Sequence, residues 1–242
     1  MISRAAGILR VLGDDTDGLS LGQIARKVEL PRSTVQRIVG ALVTEGLVST
    51  DQGGGGIRLG PEIQSLAQAS VRDTRESLRP IMRRIVDETG ETVDLAILDG
   101  SKMLFVDQIV GSQRLRTVSS IGESFPLATT ANGKAALACL DEAEAARLII
   151  AELEQSPDEA KNLTALLNEI QAIRGGALAR DEDDHTDGIS AIGFALKDGA
   201  GGIYAISVPV PSSRYGRLKA RLSDVLRTYR DALQKLPTHT TG

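Results

Sequence analysis

The sequence predicts a mixed α+β chain of two domains, a small helical one followed by a larger one built on an antiparallel sheet. Three observations carry this. A length of 242 residues suits one large domain or two ordinary ones. Short amphipathic helical patterns crowd the first quarter of the chain. Beyond about residue 90, paired strand patterns alternate with helical ones, which argues an antiparallel sheet with segregated helices. Hydrophobic residues make up 41% and charged ones 25%, enough for two cores and ordinary for a soluble globular protein.

Ser3 to Leu12 reads as a helix with Ile8, Leu9 and Leu12 on its apolar side, and GDDTDG (13–18) as a loop. Ser20 precedes Gln23 by the spacing of a capping box. Leu21, Ile24, Ala25 and Val28 then recur on one helical face. Glu29-Leu30 turns the chain, and Pro31 opens a second helix where its missing N–H is not needed. Val35, Ile38, Val39 and Leu42 form that helix's apolar stripe. At about 100° per residue, Ser33, Arg37, Gly40 and Thr44 point the other way, with Gln36 at the edge. Gly46 ends the helix, and LVST, DQGGGG and IRL read as strand, glycine-rich tip and returning strand. Together these elements make a winged helix-turn-helix.

From Pro61, PEIQSLAQASVRDTRES is helical with a thin apolar face of Ile63, Leu66, Ala67 and Val71, the pattern of a connector. Pro80 is expected to open a stronger helix carrying Ile81, Ile85 and Val86 and ending at Gly90, with the domain boundary near Ser77–Pro80. VDLAILDGSKMLFVDQIV gives two strands about a DGS turn, and RLRTVSSI (114–121) a third strand. Thr130–Leu140, AEAARLIIAEL and LTALLNEIQAIRGG are helices. GISAIGFALKDGAGGIYAISVPV is a strand pair across a glycine-rich turn, and Arg217–Leu236 a long helix with one apolar face. The expected domains are therefore 1–60, a linker helix over 61–77, a second domain over 78–236, and a frayed tail over 237–242.

The formal net charge is −4, so any anion-binding surface must be local. Over residues 20–60, five basic residues (Arg26, Lys27, Arg32, Arg37, Arg58) face three acidic ones (Glu29, Glu45, Asp51), a bias of +2. A single cysteine, Cys139, excludes a disulfide within the chain and fits a reducing compartment. The opening residues lack a signal-peptide layout, and no segment approaches the ~18 continuous apolar residues of a membrane span. The expectation is a soluble, cytoplasmic protein with no membrane partner. Six aromatic residues and no Trp argue against a stacking platform for single strands.

The second helix of a helix-turn-helix enters the DNA major groove. There Arg37 could read guanine and Gln36 adenine. Arg32, Ser33 and Thr34 sit at the helix start, where N–H groups face phosphate. Arg26 and Lys27 are placed for backbone contacts. The same residues admit a structural reading: Ser33 and Gln36 are also spaced as a capping box, and helix-turn-helix shapes occur in protein-binding modules.

The stretches ISRAAGILRVL, LSLGQIARKVELPRSTVQRIVGALVTEGLV and IRLGPEI resemble the N-terminal domain of the IclR-type bacterial transcriptional regulators. In the same order, LRPIMRRIVDETGETVDLAILDGSKMLFVDQI, GESFPLATTANGKAAL, DEDDHTDGISAIGFAL and AISVPVPSSR resemble segments of that family's effector domain. The resemblance implies a winged-helix DNA binder joined by a linker helix to a GAF-like effector-binding domain. It implies dimers or dimers of dimers on a pseudo-palindromic, double-stranded operator, and a small, often acidic, metabolite that sets repression or activation. The family's ligand-contacting positions fall at Ala131, Asn132, Asp181, Ile189, Ala191 and Ser207. Gly40 stands where an arginine is common, and Ala191 where a cysteine is frequent.

Physical chemistry supports such a pocket independently. N–H groups at a helix start attract a carboxylate, Thr130 and Asn132 add hydrogen bonds, and Leu127, Ile189 and Phe125 supply an apolar wall. The rival reading is that Thr129 and Thr130 merely cap the helix and Asp181 a turn. Enzyme signals are poor, so no catalytic residue, cofactor or metal site is expected. Gly133-Lys134 lacks the upstream glycine and the following Ser/Thr of a phosphate loop. No Gly-x-Ser-x-Gly elbow occurs. A triad of Ser207, His185 and Asp181 would need a histidine drawn from the polar DEDDHTDG run, where loop bracing is the simpler role. Two histidines and one cysteine give a zinc site little support.

Overall fold

The computed structural model describes residues 2–15, 17–50, 56–155, 163–199 and 201–235. The chain divides into two compact units, Met1–Asp73 and Thr74–Gly242. The division falls about a helical turn before the expected boundary.

The first unit packs α1 (Ile2–Gly13), α2 (Leu21–Lys27) and α3 (Arg32–Thr44) against a hairpin of β1 (Val48–Thr50) and β2 (Ile57–Leu59). Its core is the apolar set picked by helical spacing: Ile8, Leu12, Ile24, Val35, Ile38, Val39 and Leu42 are all buried. The Ser20 capping box forms: Gln23 donates its N–H to Ser20 Oγ, and Ser20 donates its own to Gln23 Oε1 at 2.8 Å. Glu29 takes a φ of 53° in the tight turn between α2 and α3. At the end of α3, the Leu47 N–H reaches the Leu42 carbonyl at 2.9 Å and the Gly46 N–H reaches that of Val43 at 3.0 Å. That closure runs through a left-handed residue, and Gly46 supplies it with φ 69°. The expected wing tip at 51–55 lies outside the described residues, as do Leu236 and the 237–242 tail.

Three expectations are corrected. Pro80 does not open a new helix, because α4 runs unbroken over Pro61–Thr89 with Pro80 inside it. A proline removes one helical hydrogen bond. Pro80 and Glu76, whose carbonyl loses its partner, are both exposed, so water can take the vacant place. RLRTVSSI forms no strand, and Leu115, Val118 and Ile121 stay exposed. The edge beside β4 (Lys102–Ile109) belongs instead to the short strand β5 (Ser124–Phe125). Conversely, the polar run at 181–186, read as a loop, belongs to strand β6 (Ala179–Thr186).

The second unit is a six-stranded antiparallel sheet. With β3 (Val93–Asp99), β7 (Ile189–Lys197) and β8 (Ile203–Pro211), its order is β5-β4-β3-β8-β7-β6. One face buries Leu95, Ile192, Phe194, Ile206 and Val208 against α4 and α8 (Ser212–Lys235), a helix that begins five positions earlier than expected. The other face carries α5 (Ala131–Cys139), α6 (Glu142–Gln155) and α7 (Leu163–Arg174) over Ala96, Met103 and Ala205. Alternation along the strands decides which residue meets which layer. At one end of this second face, the alternation brings polar residues inward instead of apolar ones.

Candidate functional site

Two places in the chain carry chemistry beyond packing. The first is the outward face of α3. Arg32, Ser33, Gln36, Arg37 and Gly40 are exposed, Thr34 is half-buried, and Arg26 and Lys27 are exposed on α2. Among the described residues, no carboxylate forms an ion pair with Arg26, Lys27, Arg32 or Arg37. The competing capping box on α3 does not form: the N-cap is Pro31, with no side-chain cap, and Ser33 lies inside the helix. Gln36 is therefore left on the surface beside Arg37. Arg58 is tied down, donating to the Asp17 carbonyl at 2.9 Å.

The second place is a cavity of about 270 Å³ at the polar end of the sheet. Thr130, Ala131, Asn132, Asp181, Ile189, Ala191 and Ser207 all line it, so the structure brings together residues far apart in sequence. Phe105, Phe125 and Pro209 supply apolar wall. Leu127 does not: it is fully buried in the core beneath α5.

The start of α5 is held from several sides. Thr130 Oγ1 accepts the Gly133 N–H at 3.1 Å and donates to the Pro126 carbonyl at 2.6 Å, so its capping role is real. Glu152 on α6 accepts the N–H groups of Leu127 and Ala128 at 2.7 and 2.9 Å. Gly133 leaves room for the preceding loop, since a Cβ there would stand 2.4 Å from Leu127 Cα. Lys134, 2% exposed, reaches Glu169 at 2.9 Å and Asp184 at 3.2 Å. It ties α5 to α7 and β6 and is a strut, not a phosphate lysine. The N–H groups of Ala131 and Asn132 belong to the first turn and have no carbonyl partner within the helix.

Asn132 is 3% exposed, and among the described residues its Nδ2 has no hydrogen-bond partner, nor has Thr117 Oγ1 on the same wall. Buried polar groups are normally satisfied. Asp181 Oδ1 accepts the N–H groups of Asp184 and His185 at 2.8 and 3.3 Å, bracing the bulge where Asp183 takes φ 62°. Burial raises the Asp181 carboxyl against those two hydrogen bonds. His185 packs edge-on to Phe125 and lies 3.4 Å from the Thr129 hydroxyl. Ser207, His185 and Asp181 share the cavity, yet no Ser–His hydrogen bond joins them among the described residues, and no acyl-transfer relay results.

Sequence reasoning missed Asp94. It is 1% exposed on β3, accepting from Gln108 Nε2 at 2.7 Å and Ser119 Oγ at 2.8 Å. Burial outweighs both hydrogen bonds and pushes its carboxyl up to about 6. No residue beside it marks it out: β3 lies between β4 and β8, and a carboxylate in a central strand is buried whichever way it points. Ser119, also on the wall, comes from the segment misread as a strand, and Glu123 from the loop that follows it. The described lining holds three carboxylates, Asp94, Glu123 and Asp181, and no arginine or lysine. Among the described residues no cluster could hold a metal ion, and no helix is long and apolar enough to cross a membrane.

A winged helix whose basic face forms no ion pair among the described residues, in one chain with a sheet domain that holds a polar cavity, defines the class of two-domain DNA-binding regulators. The comparisons place the chain within it. The family model for the IclR helix-turn-helix domain matches residues 1–52, and that for the bacterial transcriptional regulator IclR C-terminal region matches 66–236. The HTH-type transcriptional regulator Rv1719 of Mycobacterium tuberculosis is 42% identical over 229 residues, 93% of this chain and 88% of the relative. TtgV of Pseudomonas putida, also named an HTH-type transcriptional regulator, is 38% identical over 88% of this chain and 82% of its own length. The crystal structure of the Thermotoga maritima IclR is 25% identical, with a TM-score of 0.60 over 95% of each chain. The chain belongs to the IclR family of transcriptional regulators.

Proposed function

We infer that this regulator binds a pseudo-palindromic double-stranded operator as a homodimer, or as a dimer of dimers, and changes its DNA affinity when a small molecule occupies the α5 cavity. It acts in the cytoplasm, where its operator resides. The observation that carries the reading is a cavity lined by every expected effector position, one of which, Asn132, buries an amide nitrogen with no hydrogen-bond partner among the described residues. A buried unsatisfied donor costs about 1–3 kcal/mol, which an acceptor-bearing ligand would recover. On the DNA side, Gln36 and Arg37 contact base edges, while Arg26, Lys27, Arg32, Ser33 and Thr34 take phosphates. AllR of Escherichia coli, 29% identical over 88% of this chain, is named a repressor, which favours repression here.

The test is fluorescence anisotropy of the full chain on its gene's own upstream region, against scrambled DNA, at two salt concentrations. Tight binding confined to the upstream region is expected. Equal binding to both DNAs, vanishing at moderate salt, would leave only phosphate attraction and defeat the operator reading.

A further inference from the structure

The resemblance points to an acidic effector, but the wall that would receive it carries the wrong charge. Asp94 and Asp181 are each at most 5% exposed, and Glu123 adds a third carboxylate at the exposed rim. The nearby Lys134 is behind the wall, held by Glu169 and Asp184. In the sheet order β3-β8-β7-β6, Asp94 and Asp181 stand three strand spacings apart and two residues out of register, about 16 Å between backbones. Their side chains therefore close the cavity from opposite ends. At about 270 Å³ it is roughly 8 Å across, so a ligand atom anywhere inside lies within about 6 Å of one of them. A full negative charge at that distance, with an effective dielectric near 20, is disfavoured by up to about 100-fold relative to an uncharged isostere while the carboxylate stays ionised. Protonation of Asp94, whose carboxyl lies at about 6, limits its own share to about tenfold near neutral pH. The opposite extreme also fits poorly. A cation would face the positive end of α5 and could not accept from Asn132 Nδ2.

Resting on the sensor reading above, we propose that the effector is an uncharged molecule with an apolar body and one polar head that both accepts and donates hydrogen bonds, such as an amide or an alcohol. The acceptor meets Asn132 Nδ2 and the first N–H groups of α5. The donor meets the Asp181 or Asp94 carboxylate, each of which has lone pairs beyond those already engaged. Phe105, Phe125 and Ile189 enclose the body.

The experiment is a matched series on the full-length protein, by calorimetry and ligand-observed NMR: benzoate, benzamide and benzylamine, then the acid, amide and amine of phenylethyl and hexyl bodies. The amides are expected to bind about 10- to 100-fold tighter than their acids. In Asp94→Asn/Asp181→Asn that gap should shrink at least tenfold, because the acids gain. Asn132→Leu should lose the amides. If acids or amines bind tightest and Asn132→Leu abolishes their binding, the uncharged class is overturned while the cavity remains the sensor site. If none of the nine binds, or binding is unchanged in both Asn132→Leu and the cavity-filling Ala191→Trp, the sensor reading fails and takes this inference with it.

Discussion

Replacing Asp94 by asparagine separates the consequence of burying a charge from everything else at the cavity. The substitution keeps the shape and an acceptor for Gln108 or Ser119, and removes only the ionisation. In the unfolded chain this carboxyl titrates near 3.8; in the folded chain burial lifts it to about 6. Between those values the folded state holds a proton that the unfolded state has released, so stability falls as pH rises through the window. Below it both states are protonated and the penalty vanishes; above it the penalty is complete. A gap of about 2 pH units is worth about 3 kcal/mol. Roughly half is lost by about pH 5, leaving about 1.5 kcal/mol to disappear between about pH 5 and 7.5. Asp181, Glu123 and His185 line the same cavity. They are common to both proteins and cancel in the comparison to first order.

The assay is urea unfolding of wild type and Asp94→Asn at about pH 5, 6 and 7.5, followed by tyrosine fluorescence. All three tyrosines, Tyr204, Tyr215 and Tyr229, lie in the second unit and there is no tryptophan, so the signal reports the second unit alone. The variant should gain about 1.5 kcal/mol on wild type across that range. A difference that stays flat within about 0.5 kcal/mol would show that Asp94 is solvated in the folded state, and the charge census of the cavity would fall with it.

Four further outcomes are expected. Gly133→Ala places a methyl 2.4 Å from Leu127 Cα and should destabilise the second unit by about 2 kcal/mol or more, read by the same tyrosine transition. Gly40→Ala meets nothing within 4 Å on an exposed helix face and should stabilise the first unit by about 1 kcal/mol, read by far-UV circular dichroism. Arg37→Ala should cost about 1–3 kcal/mol of operator binding and far less on scrambled DNA; unchanged operator affinity would remove Arg37 from the readout. Arg79→Met should leave ligand affinity within about threefold while weakening the ligand's effect on operator affinity; an undiminished effect would exclude the Arg79 ion pair from the coupling.

The first unit was legible because its signals are local. A capping serine, an apolar period and a left-handed glycine each act within a few residues, and each does in the structure what its spacing implied. The sheet domain was legible only where strands face a core. VDLAILD shows an unbroken apolar run from Leu95 to Leu98 because apolar layers cover both faces there, whereas DEDDHT hid a strand because its inward residue, Asp181, faces a cavity. RLRTVSSI failed in the reverse sense. Its composition suits a strand, but strand propensity describes a half-buried surface, and the edge of β4 was already paired. Asp94 was invisible for a related reason: the order of strands, not the residues beside it, makes its position central.

That same placement bears on how the cavity could govern the rest of the molecule. A ligand changes DNA affinity only through a difference in how it binds two arrangements of the protein. Asp94 is held by Gln108 on β4. The next residue along, Asp107, is 4% exposed; its Oδ1 accepts the Gln108 N–H at 2.8 Å, and both its carboxylate oxygens take the Arg79 guanidinium from α4. The hydrogen bonds thus run without a gap from the cavity carboxylate to the helix that continues back to Pro61. A donor supplied by a ligand would compete with Gln108 or Ser119 for Asp94, and any shift of Gln108 is felt at Asp107 because the two are adjacent on one strand. Contiguity alone does not establish coupling. The Arg79→Met measurement distinguishes a working link from a passive brace, because removing a brace alters stability alone, whereas removing a link leaves a protein that binds both ligand and operator but no longer connects them.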